Sequence, residues 1–408
     1  MSHPIRRAPA TRYAVALLTC LLGILLLSLA INLVVDPFRI LASPLQSSKL
    51  DAYREIESQL RTGKCGLIRS AEHIGIALIG SSRVMTAWDP DLPDWQRNDV
   101  YNLAASGSFF YENVAVFDEL LRHHQPEAVF FGIDPGDLTS DFDTRRLADF
   151  ASSPLADGGF DLERELRYAV GISTLTESLR TLRRASRHES PKFTPRGLHR
   201  LGPEWFSTDQ RQLLAALLNR RRPQAFPESL ESGARLLPDK ARLLHHLVET
   251  SHQRGIRLIL VLHPSHFLTR LPPSGATPIT VPRENEAILQ LVRHADGKFP
   301  QQLPTPVWDF QGPLAWNCDP MPLGAGERME HWLDFGHYTP EVGRTILARI
   351  SGWPILSAEG QNYGTPLTLA SLPVWRENYL RDAQSYLDGP GGRDLAWRQS
   401  LLHAAARH

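Results

Sequence analysis

The sequence predicts an α/β protein, a parallel sheet covered by helices, carried behind one N-terminal membrane helix. Three observations predict it. Short apolar runs alternate along the chain with amphipathic stretches of helical period, the pattern of strands joined by helical crossovers. Residues 13–35 hold no charged side chain and as a helix would span roughly 35 Å, enough to cross a bilayer core. The 408 residues balance 44 basic against 44 acidic side chains, and 42% are hydrophobic and 22% charged. That balance argues against nucleic acid as a partner and excludes both a disordered chain and a multi-span membrane protein.

The first element is the apolar run YAVALLTCLLGILLLSLAINLVV, ended by Asp36-Pro37. Arg6, Arg7 and Arg12 precede it, so the positive-inside bias puts residues 1–12 in the cytoplasm and the rest of the chain on the extracytoplasmic, periplasmic side of the inner membrane. Ser28-Leu29-Ala30 would also suit a cleavage site. The run continues to Val35, past the usual length of a signal-peptide core, which favours an uncleaved single-pass anchor. A lipoprotein at Cys20 does not fit, because Thr19 precedes it and more apolar residues follow than precede.

Residues 36–69 read as a linker and lead-in to a domain over 70–355. Its strands are expected at Ile76–Ile79, 100–103, Ala128–Ile133, 256–262 and 306–310. Between them, 111–124 carries Val114, Phe117, Leu120 and Leu121, and 240–253 carries Leu243, Leu244 and Leu247, at helical spacing. Residues 137–233 break the rhythm, with helix-like pieces near 162–184 and 208–221 but no strand. An inserted cap over the strand ends and a merely structural elaboration are both open. Residues 356–408 form a C-terminal extension whose stretch after Val374 reads as helical and polar, with no assigned role. Cys65 and Cys318 are the cysteines beyond the membrane run, and in an oxidising compartment they would either pair as a disulfide or remain two thiols.

Strand Ile76–Ile79 runs into Gly80-Ser81-Ser82-Arg83, placing a serine at a strand's C-terminal end, where ligands bind in such sheets. A serine hydroxyl needs a base to become a nucleophile. Near the far end the chain reads Asp334-Phe335-Gly336-His337-Tyr338-Thr339-Pro340, then Val342, Ile346, Leu347 and Ile350 at helical spacing. Thr339 suits an N-cap and Pro340 a first helical turn, so Asp334 and His337 sit in the loop entering the last helix of this domain. There the carboxylate can hold one ring nitrogen while the other faces the serine. Alone, Ser82 reads as a helix cap and His337 as a loop histidine. Their joint placement makes Ser82, His337 and Asp334 a candidate triad.

With these blocks in place, the chain resembles the SGNH (GDSL-like) hydrolase superfamily over roughly residues 70–350, the insertion unmatched. Gly80-Ser81-Ser82-Arg83, the anchor and the closing Asp-Phe-Gly-His-Tyr look most like its membrane-anchored branch of alginate O-acetylation accessory proteins and teichoic-acid D-alanine transfer proteins. The resemblance implies an SGNH-like (flavodoxin-like) parallel sheet and a Ser82 nucleophile. It also implies an oxyanion hole from the backbone of Ser82 and of Ala104, the latter standing where the superfamily has glycine in Tyr101-Asn102-Leu103-Ala104. In the third block, Gly132-Ile133-Asp134-Pro135, Asp134 replaces an amide donor, so Asn102 or Arg83 is expected to substitute.

His263-Pro264-Ser265-His266 follows a strand without a carboxylate or cysteine to complete a ligand set, so no metal is expected. His263 and His266, with Asp134, are expected to contact substrate instead. Trp308, Trp316 and Trp332 suit sugar stacking or buried packing. The expected activity is acyl transfer, O-acetyl foremost, on a cell-envelope or secreted polysaccharide, without metal or organic cofactor. A membrane-bound O-acyltransferase is the partner the resemblance implies. The alternatives are a carbohydrate esterase or lipase using water, and a non-catalytic glycan-binding accessory subunit.

Overall fold

The computed structural model describes residues 9–405 except 42, 55, 142, 144–147, 159–160, 208, 221–234, 273–279, 323 and 325. Arg6, Arg7 and the end of the expected insertion lie outside the described residues. Helix α1 (Pro9–Val35) is, among the described residues, the one long and apolar enough to cross a membrane. Residues 10–27 on it are exposed, whereas Ser28, Asn32 and Val35 are buried. After a lead-in, α2 (Leu60–Ser70) packs on the sheet.

The sheet is then built by β1 (Ile76–Ile79), α3 (Ser82–Ala87), β2 (Val100–Asn102), α4 (Phe110–His123) and β3 (Ala128–Ile133). The next stretch forms no strand among the described residues. It holds α5 (Ala148–Ala151), α6 (Leu162–Val170), α7 (Ile172–Arg187), α8 (Glu204–Ser207) and α9 (Gln210–Arg220). Regular alternation resumes with α10 (Pro238–Arg254), β4 (Arg257–Leu262), α11 (Thr280–Asp296), β5 (Val307–Asp309) and α12 (Pro340–Ser351). The chain closes with α13 (Ala358–Gln361), β6 (Thr365–Leu367), α14 (Leu372–Asp388) and α15 (Pro390–Ala405).

Strand order is β2-β1-β3-β4-β5-β6, with β1 to β5 parallel and β6 antiparallel to β5. Leu78 of β1 pairs with Asn102 on one side and Phe130 on the other. Chain order reverses there, so the C-terminal ends of β1 and β3 border the crevice where doubly wound sheets bind ligands. The five expected strands form. A sixth strand within 356–408 pairs with β5: Thr-Pro-Leu is too short to show a period, and its proline, lacking an N–H, is tolerated on an edge strand. Tyr379, Ala383 and Tyr386 of α14 are buried in the same core.

Successive strand residues point to opposite faces. Leu78 and Phe130 join a core with α3, α12 and α14, whereas Ala77, Ile79, Val129 and Phe131 join a second core with α2, α4, α10 and α11. This two-sided burial decides between the two cysteine readings in favour of free thiols. Cys65 packs in the second core and Cys318 against the first, so the sheet separates two free thiols. The approach of α12 to α3 depends on Gly343, where a Cβ would stand 2.1 Å from the Ala87 carbonyl oxygen. That contact carries the loop before α12 to the serine at the start of α3.

Candidate active site

Ser82 is the first residue of α3, directly beyond the β1 end, and the Ser81 side chain caps the helix by accepting from the Arg83 N–H. Its hydroxyl lies 2.8 Å from His337 Nε2, and His337 Nδ1 lies 2.7 Å from Asp334 Oδ2. A carboxylate only accepts, so Nδ1 carries the proton and Nε2 is left to accept from Ser82. The other Asp334 oxygen accepts from the N–H groups of Gly336 (2.6 Å) and His337 (2.8 Å), which ties the carboxylate to its own loop. Burial alone would raise the Asp334 carboxyl. The His337 ring, by hydrogen bond and charge, and the two backbone donors outweigh it and bring it down to about 2. The structure thus brings together the three residues separated by 255 positions in sequence.

The remaining expected site residues take other places. Asn102 is fully buried, and its amide donates to the carbonyls of Val84 (2.8 Å) and Trp88 (2.9 Å), closing the C-terminal end of α3. Its Oδ1 accepts from the Ala104 N–H at 3.1 Å. Asn102 and Ala104 are therefore corrected from oxyanion donors to a brace that holds the nucleophile helix. Arg83 is likewise engaged: Nε donates to the Gly336 carbonyl at 2.6 Å and Nη1 pairs with Asp134 at 2.7 Å. This ion pair supplies a physical reason for an aspartate in the third block. Burial pushes Asp134 up, but the Arg83 charge, His263 and hydrogen bonds from Ser81 and Arg83 together outweigh it, and its carboxyl sits below the ordinary range.

Neither His263 nor His266 lines the Ser82 cavity, which corrects their expected contact with substrate. Both rings are fully buried. His263 Nδ1 is 3.1 Å from the Tyr338 hydroxyl, and burial lowers its pKa to about 3. Gly132 is required beneath it, since a Cβ there would meet His263 Nε2 at 2.0 Å. His266 Nε2 donates to the Asp319 carbonyl (2.7 Å), and its backbone N–H donates to the Phe335 carbonyl (3.1 Å). Trp316 and Trp332 are buried packing residues, the Trp332 indole donating to the Trp316 carbonyl at 2.6 Å.

Ser82 and His337 open into a cavity of about 810 Å³. Its walls include Asp149, residues 190–193, residues 199–203 and Trp205, all from the interval without strands, together with Ser106 of the turn after β2. Two contributors went unread in the sequence. The Trp205 ring lies edge-on to His337, with centroids 5.7 Å apart. Gln210 donates to the carbonyls of Trp332 (2.6 Å) and Leu333 (3.1 Å) and accepts from the Met329 N–H (2.6 Å), pinning the histidine loop to α9. The only signal for either was an aromatic and an amide beside a helical stretch.

A larger, open groove of about 1120 Å³ between α10 and α11 lies elsewhere, and among the described residues no serine, threonine or cysteine lines it. Among the described residues, His73, Asp99 and Glu127 are close enough to share a metal ion, but the Arg97 guanidinium already donates to both carboxylates. Chemically, the Ser82 site offers a hydroxyl, a base to deprotonate it and a carboxylate to orient that base, which is the equipment of acyl transfer. In comparisons with known proteins, no family model matches the chain and no curated protein matches it.

Proposed function

We propose that this protein is an SGNH-like, flavodoxin-like serine acyltransferase, anchored in the inner membrane by α1 with its domain on the periplasmic side. In this reading Ser82 Oγ attacks the carbonyl carbon of an acyl ester, acetyl foremost, as His337 Nε2 takes its proton. Asp334 keeps the ring in the accepting tautomer and stabilises it once protonated. His337 returns the proton to the departing alcohol, leaving the acyl group on Ser82. A hydroxyl of a cell-envelope or secreted polysaccharide then gives its proton to His337 and takes the acyl group, and His337 passes that proton to the departing Ser82 Oγ. The backbone N–H groups of Ser82 and of the exposed Ser106 turn are the donors left to hold the oxyanion. A membrane-bound O-acyltransferase would be the partner supplying the acyl group. Water as acceptor would make the same site a carbohydrate esterase or lipase.

The observation that carries this reading is the unbroken Ser82–His337–Asp334 chain of hydrogen bonds at the mouth of a cavity. The resemblance of the Ser82 and His337 blocks to the membrane-anchored SGNH branch supports the acetyl and polysaccharide assignments. The test is intact-mass analysis of the full-length protein in detergent after incubation with p-nitrophenyl acetate. One added acetyl mass in the wild type, absent in Ser82→Ala, is the expected result. No adduct and no ester turnover in folded wild type would overturn it. One observation favours a second reading, a glycan-binding accessory subunit without catalysis: Asp134 pairs with Arg83, and among the described residues no side-chain amide lines the Ser82 cavity in place of the usual third-block donor.

A further inference from the structure

Helix α7 is amphipathic in the wrong sense for a water-soluble protein. Its buried side chains are polar, Thr174, Glu177, Ser178 and Thr181, whereas Ile172 (83% exposed), Leu179 (51%) and Leu182 (40%) face outward. With the half-buried Leu175, these apolar residues recur every three or four positions and form one stripe along the helix. Helix α6, joined to α7 through Gly171, adds the exposed pair Leu162 and Leu166. A surface helix in water buries its apolar stripe, so this inversion calls for an apolar medium outside.

The hairpin's inner face is bound to the membrane helix itself. Asn32 of α1 donates to the Ala169 carbonyl (2.9 Å) and accepts from the Ser178 hydroxyl (2.8 Å), and the Ser28 hydroxyl donates to the Val170 carbonyl (3.3 Å). The tip is thus level with Ser28. Below that level α1 is bare over residues 10–27, about 27 Å of helix against a hydrocarbon core of about 30 Å. A core placed on the bare stretch therefore ends at the height of the hairpin tip. The depth is that of an interfacial helix.

We infer that the α6–α7 hairpin is a second membrane contact, which seats Ile172 and the outward stripe of α7 in the lipid interface beside α1. Arg183 and Arg187 follow one and two turns beyond Leu179 in α7, on the side away from the hairpin tip, where cationic side chains suit lipid headgroups. Because the chain leaves α7 directly into the cavity wall at 190–193, this contact fixes the height of the Ser82 cavity above the lipid. The inference rests on α1 as a membrane anchor and is independent of the acyl-transfer chemistry.

The test uses the full-length protein, in a Cys20→Ser, Cys318→Ser background, in vesicles of phosphatidylethanolamine and phosphatidylglycerol. Nitroxide labels at Ile172→Cys and Leu179→Cys report collision with oxygen, which concentrates in lipid, and with a water-soluble nickel chelate. Leu22→Cys in α1 and the exposed Glu377→Cys in α14 are the references. Since positions 172 and 179 are exposed, the labels leave the core intact. The expected result is that 172 and 179 resemble 22, with oxygen accessibility above nickel, and that the ratio inverts at 377. Nickel-accessible labels at 172 and 179 with 22 in lipid would overturn the hairpin contact and leave the anchor standing. A nickel-accessible label at 22 would overturn both.

Discussion

Two histidine loops meet at the Ser82 site, and they are built for opposite purposes. His337 is 26% exposed at its side chain and held between a serine hydroxyl and a carboxylate. His263 and His266 are fully buried; one touches a tyrosine hydroxyl and the other a backbone carbonyl. The loops are joined, since the His266 N–H donates to the Phe335 carbonyl and Tyr338 follows His337 directly. A ring with a solvent side and an ionised partner can cycle through a charged form. One enclosed by low-dielectric packing stays neutral and serves as structure.

The comparison breaks most sharply at His337. In His337→Gln, ester turnover is expected to fall by about 10³-fold or more, with the melting temperature nearly unchanged, as checked by steady-state kinetics beside thermal unfolding. A variant retaining turnover would remove the distinction between the two loops.

The next effect is pH-dependent and belongs to His263. Its folded pKa is about 3 against an ordinary 6.5, so between these values the unfolded chain binds a proton that the folded chain excludes. Stability therefore falls as pH drops from 6.5 toward 3, by on the order of a few kcal/mol from this group. Urea unfolding across that range should show the slope in wild type and lose this component in His263→Gln. An identical slope in both proteins would show that His263 is not the buried neutral group described above.

The Arg83–Asp134 pair, with side chains 14% and 16% exposed, sharpens the comparison from the side of the nucleophile. Asp134→Asn leaves the Arg83 charge without its counter-ion and is expected to cost about 2 kcal/mol in unfolding free energy. Turnover should fall by less than in His337→Gln, because Arg83 would still hold the Gly336 carbonyl. The smallest effect is expected at Trp205, whose edge meets the His337 ring. Trp205→Ala should change KM by a few fold and leave kcat within about threefold, since edge-on aromatic contacts are worth about 1 kcal/mol. A loss confined to kcat would instead make Trp205 a positioning residue for the base.

Local chemistry was enough to read some of this molecule from its residues. The five parallel strands are apolar because helices cover both faces, so continuous runs such as residues 128–133 and 258–262 reveal them. Ser82 and the Asp334–His337 loop are legible because each abuts an element boundary with its own signal, a strand end in one case and a Thr-Pro helix start in the other. The N-terminal helix, long and apolar enough to cross a membrane, shows itself by length and absence of charge.

What tertiary structure alone decided is which donors and acceptors are already taken. Asn102 and Ala104 look available in sequence, yet the C-terminal end of α3 returns across the sheet and occupies Asn102, which in turn occupies Ala104. Cys65 and Cys318 carry no mark of the face each will occupy, because a strand's alternation sends its neighbours to two separate cores. The outward stripe of α7 has the period of an ordinary amphipathic helix, and only its contact with Asn32 reveals that the polar side is the buried one. Periodicity and boundary signals are local and survive in one dimension. Hydrogen-bond occupancy and the direction of a helical face depend on which distant residue arrives first, and that is a property of packing.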